Sequence, residues 1–394
     1  MPHDRPYDLV LFGATGFTGS LTAAYLARTY RETGLRWALA GRDMVKLAAV
    51  RRGLGTPEPA LLHGDARDPA SLAAVARAAR VVATTVGPYL THGEPLVAAC
   101  AEAGTHYADL AGEIEFVDRV YLRHHDQAVR TGAKLVHACG FDSAPYDLGV
   151  HRTVHLLPEG VPLRVSGFAR VSGRPSGGTM RSLVTAVSRT RQMAAAAAER
   201  RRNEPPLKDR SVRSGPGPLR LVGVRRPPGG RRPAHGWALP YPAPDVEIIA
   251  RTARALGRYG PDFVYRHHLV VPNLPAAVAA VTGAASVAAL AQIPVVRDLM
   301  LDRFRSGQGP SPERRARSWF QLTFVGEGGG ERVVTRVAGG DPGYEEAAKI
   351  LAESALSLAF DDLPPLAGQL TPATAMAGPL TARLTRAGLT FTTL

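Results

Sequence analysis

The sequence predicts an α/β protein, with a doubly wound parallel sheet followed by a second, α+β unit. Three observations carry that expectation. Near its start a buried apolar strand runs into a glycine turn and a helix. Short apolar stretches then alternate with helical ones as far as Asp147. Beyond that point, segments such as Leu163-Arg164-Val165-Ser166-Gly167-Phe168 alternate with period two, as antiparallel strands do.

The first strand is Tyr7-Asp8-Leu9-Val10-Leu11-Phe12. It feeds Gly13-Ala14-Thr15-Gly16-Phe17-Thr18-Gly19, and the helix that follows shares Leu21, Tyr25 and Leu26 on one face. A glycine turn between a strand and a helix N-terminus is how a dinucleotide diphosphate is held. Gly13 permits the tight turn, Gly16 lets the backbone approach the phosphates, and Gly19 lets helix and strand pack closely. Thr15, Phe17 and Thr18 complete the loop. The spacing G-x-x-G-x-x-G is a variant of the dinucleotide fingerprint, and a plain strand–turn–helix is the alternative.

The second strand, residues 36–40, ends in Gly41-Arg42, where the ribose is read. An NAD site places Asp or Glu there. Arg42, with Lys46 on the next helix, suits a 2′-phosphate instead, and Asp43 reads as that helix's N-cap. NADPH is therefore the expected cofactor.

A third strand over 60–65 brings Asp65 to the adenine and ribose side. After a helix over 69–80, the fourth strand, 81–86, breaks at Gly87-Pro88-Tyr89. Thr85, Val86, Gly87 and Pro88 thus fall at a strand's carboxyl end, where open α/β sheets bind ligands. A helix over 94–103, a strand over 106–110 and a strand over 134–138 complete the unit. The last strand meets Cys139-Gly140-Phe141-Asp142-Ser143-Ala144-Pro145. Cys139 and Gly140 join the cofactor set. Tyr89, Ser143 and Asp142 are the catalytic candidates, with Glu113 and Asp109 on a loop at the same edge. His137 reads as a core histidine.

Residues 1–147 form the Rossmann-like nucleotide domain. Residues 148–338 form the α+β domain, with an arginine-rich insert at 189–232, and 339–394 read as a helical segment returning to the first domain. An Asp341-Pro342 start and two acids in the first turn support its helix over 345–360.

The hydrophobic share is 45% and the charged share 21% over 394 residues, ordinary values for a globular protein of two domains. Two cysteines exclude a disulfide framework and show no metal-ligand spacing. The first strand begins too close to Met1 for a secretory signal, so a cytoplasmic location is expected. The net charge of +14 comes largely from the insert. With no aromatic interleaving there, nucleic acid is not the expected partner. The insert reads as a solvated loop, as a docking patch for an acidic carrier, or as a holder of phosphopantetheine or CoA phosphates. The uncharged run 274–296 reads as a packed helix rather than a span. Membrane-surface contact, with Arg297, Arg303 and Arg305 close behind, is the less favoured alternative.

The motifs above resemble those of the saccharopine-dehydrogenase-like oxidoreductases, most closely the trans-acting enoyl reductase branch. The resemblance also rests on Ser176-Gly177-Gly178-Thr179, Arg314-Arg315-Ala316-Arg317-Ser318-Trp319-Phe320 and Gly339-Gly340-Asp341-Pro342-Gly343-Tyr344. It implies NADPH, an α+β domain covering the nicotinamide, and reduction of a carbon–carbon double bond in a polyketide or lipid intermediate carried as a thioester. Expected partners are a small-molecule or carrier-bound acyl substrate and an acyl carrier protein or polyketide synthase. Imine reduction of saccharopine type and a non-catalytic NADP-binding or membrane-peripheral scaffold are the alternatives. Where the branch usually has Thr before Gly-Glu, this chain has Ala111. A homodimer is the default expectation for assembly.

Enoyl reduction needs the nicotinamide held against the β-carbon and a donor for the enolate oxygen, but neither a nucleophile nor a metal. Tyr89 is the first candidate for that donor or for the proton source. Ser143 is the second, and Asp142 would position nicotinamide or ribose.

Overall fold

The computed structural model describes residues 5–55, 59–173, 177–224, 234–241, 243–303 and 309–394. The first half alternates strand and helix, with two helices in succession at only one point. It runs β1 (Tyr7–Phe12), α1 (Phe17–Thr29), β2 (Trp37–Gly41), α2 (Met44–Leu54), β3 (Ala60–His63), α3 (Pro69–Ala78) and β4 (Ala79–Thr84). It continues α4 (Tyr89–His92), α5 (Glu94–Ala103), β5 (His106–Asp109), α6 (Ile114–Thr131), β6 (Lys134–Val136) and α7 (Ala144–His155).

In the second half come β7 (Leu163–Ser172), α8 (Gly177–Ser188), α9 (Thr190–Asn203), β8 (Ser211–Pro216), β9 (Arg220–Val224), β10 (Ala234–Pro240) and α10 (Pro244–Ala255). They are followed by β11 (Asp262–Val271), α11 (Leu274–Leu290), α12 (Pro294–Arg303), α13 (Pro312–Ala316), β12 (Trp319–Gly328) and β13 (Glu331–Gly339). The chain ends with α14 (Glu345–Phe360), β14 (Gly368–Leu370), α15 (Pro372–Arg386) and β15 (Thr390–Thr393).

The first sheet has the order β14-β6-β5-β4-β1-β2-β3, parallel throughout. The strand order reverses between β1 and β4, which makes their carboxyl ends the switch point of a Rossmann-like sheet. Register fixes that edge, because Phe12 lies beside both Ala40 and Thr84, and Thr84 beside Asp109. Period-two alternation buries both faces. Leu9, Leu11, Leu39 and Val81 enter one core; Val10, Phe12, Ala38 and Val82 enter the other. The second sheet is mixed, β15-β13-β12-β7-β11-β10-β9, with β8 beside β11. β7 runs antiparallel to β12 but parallel to β11, so period two alone misread one of its neighbours.

The C-terminal region does more than return a helix to the first domain. α14 is buried against α1, where Glu353 accepts hydrogen bonds from Tyr25 Oη at 2.6 Å and Tyr30 Oη at 2.7 Å. β14 adds a seventh strand beside β6, and β15 joins the second sheet beside β13. This tail therefore ties the two sheets together.

The described part of the arginine-rich segment is not a solvated loop. It forms α9, β8 and β9, and several of its arginines are structural; Arg225, Arg226, Arg231 and Arg232 lie outside the described residues. Arg189 grips Glu115 at 2.7 and 2.8 Å. Arg210 donates to the carbonyls of Ala253 and Leu256 at the end of α10.

Arg200 is buried with Glu204, Gln369 and Asp118, and Arg251 meets the same Asp118 at 2.7 Å. Asp118 is thus a buried anion between two buried guanidiniums. Asp118→Ala leaves both cations without that counter-charge and is expected to cost about 3–5 kcal/mol of stability by urea unfolding. A loss below about 1 kcal/mol, the scale of an exposed pair, would show that the cluster is not the clamp described.

Asp147, buried on α7, accepts from Thr252 Oγ1 at 2.6 Å and from Ala373 N at 2.8 Å. Burial nonetheless raises its carboxyl from 3.8 to about 7. The protonated acid is then the favoured folded form, so stability is fullest below the unfolded value near 4 and falls as pH rises toward 7. An asparagine fits here, with its oxygen toward Ala373 N and its amide toward Thr252 Oγ1. Asp147→Asn is expected to be more stable than wild type at pH 8, by about 2–4 kcal/mol, and level with it near pH 4. A pH-independent difference between the two proteins contradicts this.

Candidate cofactor and active site

The glycine turn leaves β1 at Gly13, whose φ of +91° lies in the region that favours glycine. A Cβ at Gly13 would stand 2.6 Å from Val86 Cγ2, and one at Gly19 would drive into the Gly13 carbonyl oxygen. Gly16 differs. A Cβ there would meet only the Gly13 oxygen, at 3.4 Å, and otherwise point into open space. Gly16 also forms the N-cap of α1 without a side-chain cap, so the first turn offers backbone N–H groups to a ligand. Two glycines are thus required by packing, and the third keeps a face clear. That arrangement fits a diphosphate.

Thr85 and Val86 brace this turn. Thr85 Oγ1 donates to Gly13 O at 3.1 Å, which fastens the two loops at the switch point. Thr15 is exposed on the loop crest, while Thr18 is half-buried on α1. The Phe17 ring is taken up by the second half of the chain: it meets Tyr344 edge-on at 4.9 Å and Arg315 at 5.7 Å. That leaves the main chain of Phe17 as its ligand-facing part.

At the tip of β2, Asp43 accepts from Lys46 N at 3.0 Å and caps α2. Its carboxylate is thereby directed at its own helix. Arg42 and Lys46 are exposed beside it, Lys46 also pairing with Asp43 at 3.3 Å. Asp65 is engaged in a turn, accepting from Arg67 N, and Asp68 caps the next helix.

At β4, β5 and β6 the carboxyl ends form a dense polar net. Asp109 accepts from Tyr107 Oη at 2.9 Å, from Ala111 N and Ala138 N at 3.0 Å, and meets His137 Nδ1 at 2.7 Å. Ala138 sits at φ +60°, a strained conformation that ends the strand two residues earlier than its apolar run suggests. Glu113, raised by burial, accepts from Tyr89 N, Leu90 N and Ser182 Oγ.

Tyr89 is buried, donating to Thr84 O and accepting from Leu110 N, each at 3.2 Å. Both hydrogen-bonding capacities of its hydroxyl are directed at the backbone, and burial pushes the phenol well up. This geometry makes Tyr89 a brace between β4 and β5, not a donor facing the cleft. Gly87 and Pro88 lead into it. Cys139 is likewise fully buried, with Sγ toward Val136 O, so only its main chain is at the edge. At Gly140 a Cβ would press on Leu110. Ser143 is 1% exposed, and its Oγ has no hydrogen-bond partner among the described residues. Asp142 is exposed one residue before it.

The second domain and the C-terminal segment close over this edge. Pro244 reaches Gly112, Ser182 reaches Glu113, and Tyr344 reaches Phe17. Behind Asp142 lie Tyr146 and Tyr241, and behind them a buried pair, Asp245–His267 at 3.0 Å, with Tyr265 Oη on the same imidazole at 2.9 Å. The sequence reading missed Tyr146, Tyr241, Asp245 and His267. Tyr146 lies three residues past Ser143, and Tyr241 four before Asp245, but these two segments and His267 are distant in the chain, and only the packing of β10, α10 and β11 onto α7 brings them together.

Two comparisons decide the family. The chain is 37% identical to the trans-acting enoyl reductase of Mycobacterium ulcerans, over 98% of this chain and 97% of that protein. It is 37% identical to the trans-acting enoyl reductase of Mycobacterium tuberculosis, over 100% and 99%. The chain belongs to the trans-acting enoyl reductase branch of the saccharopine-dehydrogenase-like oxidoreductases. Residues 9–136 also match the model of the saccharopine dehydrogenase NADP binding domain, which spans β1 to β6 and every loop of the switch point except the one after β6. The fold is that of the apo saccharopine dehydrogenase (L-Glu forming) of Saccharomyces cerevisiae. The TM-score is 0.56 at 12% identity, with 98% of this chain and 99% of that one covered. As a member of this branch the chain is an NADP-binding oxidoreductase.

Proposed function

We propose that this enoyl reductase family member uses NADPH to reduce a carbon–carbon double bond in a polyketide, lipid or other natural-product intermediate, presented in trans as a thioester. The observation that carries the reading is the tip of β2, where Asp43 is turned onto α2 and Arg42 and Lys46 stand beside it. Arg42 and Lys46 would hold the 2′-phosphate, and the clear face of Gly16 with the first turn of α1 would hold the diphosphate. The reduced nicotinamide supplies the hydride.

The chain's own residues do the rest. Ser143 Oγ, buried and unpaired, donates to the thioester oxygen as negative charge gathers there, where a preorganised donor has most effect. Tyr146 on α7 and Tyr241 of the second domain orient the acyl chain, with Tyr241, near Asp142 and partly exposed, as the proton source for the α-carbon. Ala111, lacking the hydroxyl usual at this position, leaves that part of the loop apolar. The test is oxidation of NADPH by the purified protein with a panel of enoyl thioesters, both as CoA esters and on an acyl carrier protein. Turnover of at least one is expected. Silence across both forms, with turnover of a keto acid plus amine, favours imine reduction instead.

A further inference from the structure

A helix that is apolar all round belongs in a protein core or in lipid. α11 is such a helix and has neither protein core around it nor charge upon it. Its seventeen residues include no Asp, Glu, Lys or Arg, yet Ala277 is the one buried residue among them. Val278 and Val281 are more than half exposed. After the break at Ala291–Ile293, α12 has no buried residue, and Val295 and Leu299 are 79% and 69% exposed. The two helices meet at 119°, and among the described residues no single helix is long and apolar enough to cross a membrane. The pair rests on α8 and the β10–β11 side of the second sheet, with the outer surface of α11 apolar and exposed, and α12 adds exposed Val295 and Leu299 among Arg297, Asp298, Asp302 and Arg303. Contiguous apolar surface of this kind marks an interaction site.

We propose that α11 and α12 seat this protein on an anionic lipid surface as a monotopic wedge. The bend rules out a straight span and suits a shallow insertion, with both helices lying in the interface. Charge selects lipid over a second copy of the chain as the occupant. The protein carries +14, so two copies repel, whereas an anionic headgroup layer attracts it. On α12 the charges of Arg297 and Arg303 are offset by Asp298 and Asp302, Arg297 pairing with Asp298 at 3.1 Å, so the guanidinium groups that would meet headgroup phosphates are the exposed Arg314 and Arg317 around α13.

The experiment is co-sedimentation of the full chain with vesicles of phosphatidylcholine alone or mixed with phosphatidylglycerol, at low and high salt, beside light scattering without lipid. The chain is expected to pellet with the anionic vesicles and to be partly released by salt. The variant Val281→Glu/Val295→Glu/Leu299→Glu is expected to bind at least about tenfold more weakly. Its substitutions are at exposed positions, so its melting temperature and NADPH binding should match wild type. Wild type left in the supernatant at low salt overturns the proposal, and so does a triple variant that binds as well as wild type. A wild-type dimer without lipid that the triple variant dissolves would assign the wedge to self-association and overturn it equally.

Discussion

Replacing Ser143 by alanine is expected to lower kcat for an enoyl thioester by about 10²–10³, while NADPH binds as before. The expectation rests on an unusual combination. Ser143 is buried, stands at the start of α7 without capping it, and keeps an Oγ with no partner among the described residues. A buried hydroxyl left unpaired costs the fold about 1–3 kcal/mol, and at this strand-end loop a bound acyl oxygen would supply the missing acceptor. The same reasoning separates function from stability. Ser143→Ala removes an unsatisfied group and should leave the protein at least as stable as wild type. Loss of turnover with an undiminished melting temperature supports the assignment; full turnover by the variant removes Ser143 from the chemistry.

Arg42→Glu is the second large effect. A charge-assisted hydrogen bond to the 2′-phosphate is worth about 1.5–3 kcal/mol, and the new carboxylate adds repulsion. NADPH affinity should fall by about tenfold to more than a hundredfold, whereas NADH affinity should change little. Arg42 is exposed at the end of β2, so its replacement disturbs no core packing. Equal losses for the two coenzymes would place the 2′-site elsewhere on the edge.

Much of the first sheet could be read from the chain, because its strands are buried on both faces and announce themselves as apolar runs between turns. The helix over Glu94–Ala103 and the one over Glu345–Phe360 fall where composition and N-terminal signals put them. The glycine turn was legible for the same reason, since its three glycines answer to local sterics. What was not legible depends on distant partners. β14 is three residues long and becomes a strand only because β6 presents an open edge. Arg189, Arg200 and Arg210 read as solvent-facing charge, since sequence cannot show that Glu115, Asp118 and the end of α10 await them. Tyr89 looked like a cleft residue because it follows a strand end, and only the fold shows Thr84 and Leu110 engaging its hydroxyl. The approach of Tyr241, Asp245 and His267 to Tyr146 behind Asp142 is made by tertiary contact.

The most direct measurement follows one atom. NADPH carrying deuterium at both C4 positions is supplied with an enoyl thioester in ordinary water, and the saturated product is read by NMR or mass spectrometry. Deuterium at the β-carbon and a solvent proton at the α-carbon is the predicted result. Label at a carbonyl or imine carbon, or product formed without label from the coenzyme, would contradict the account.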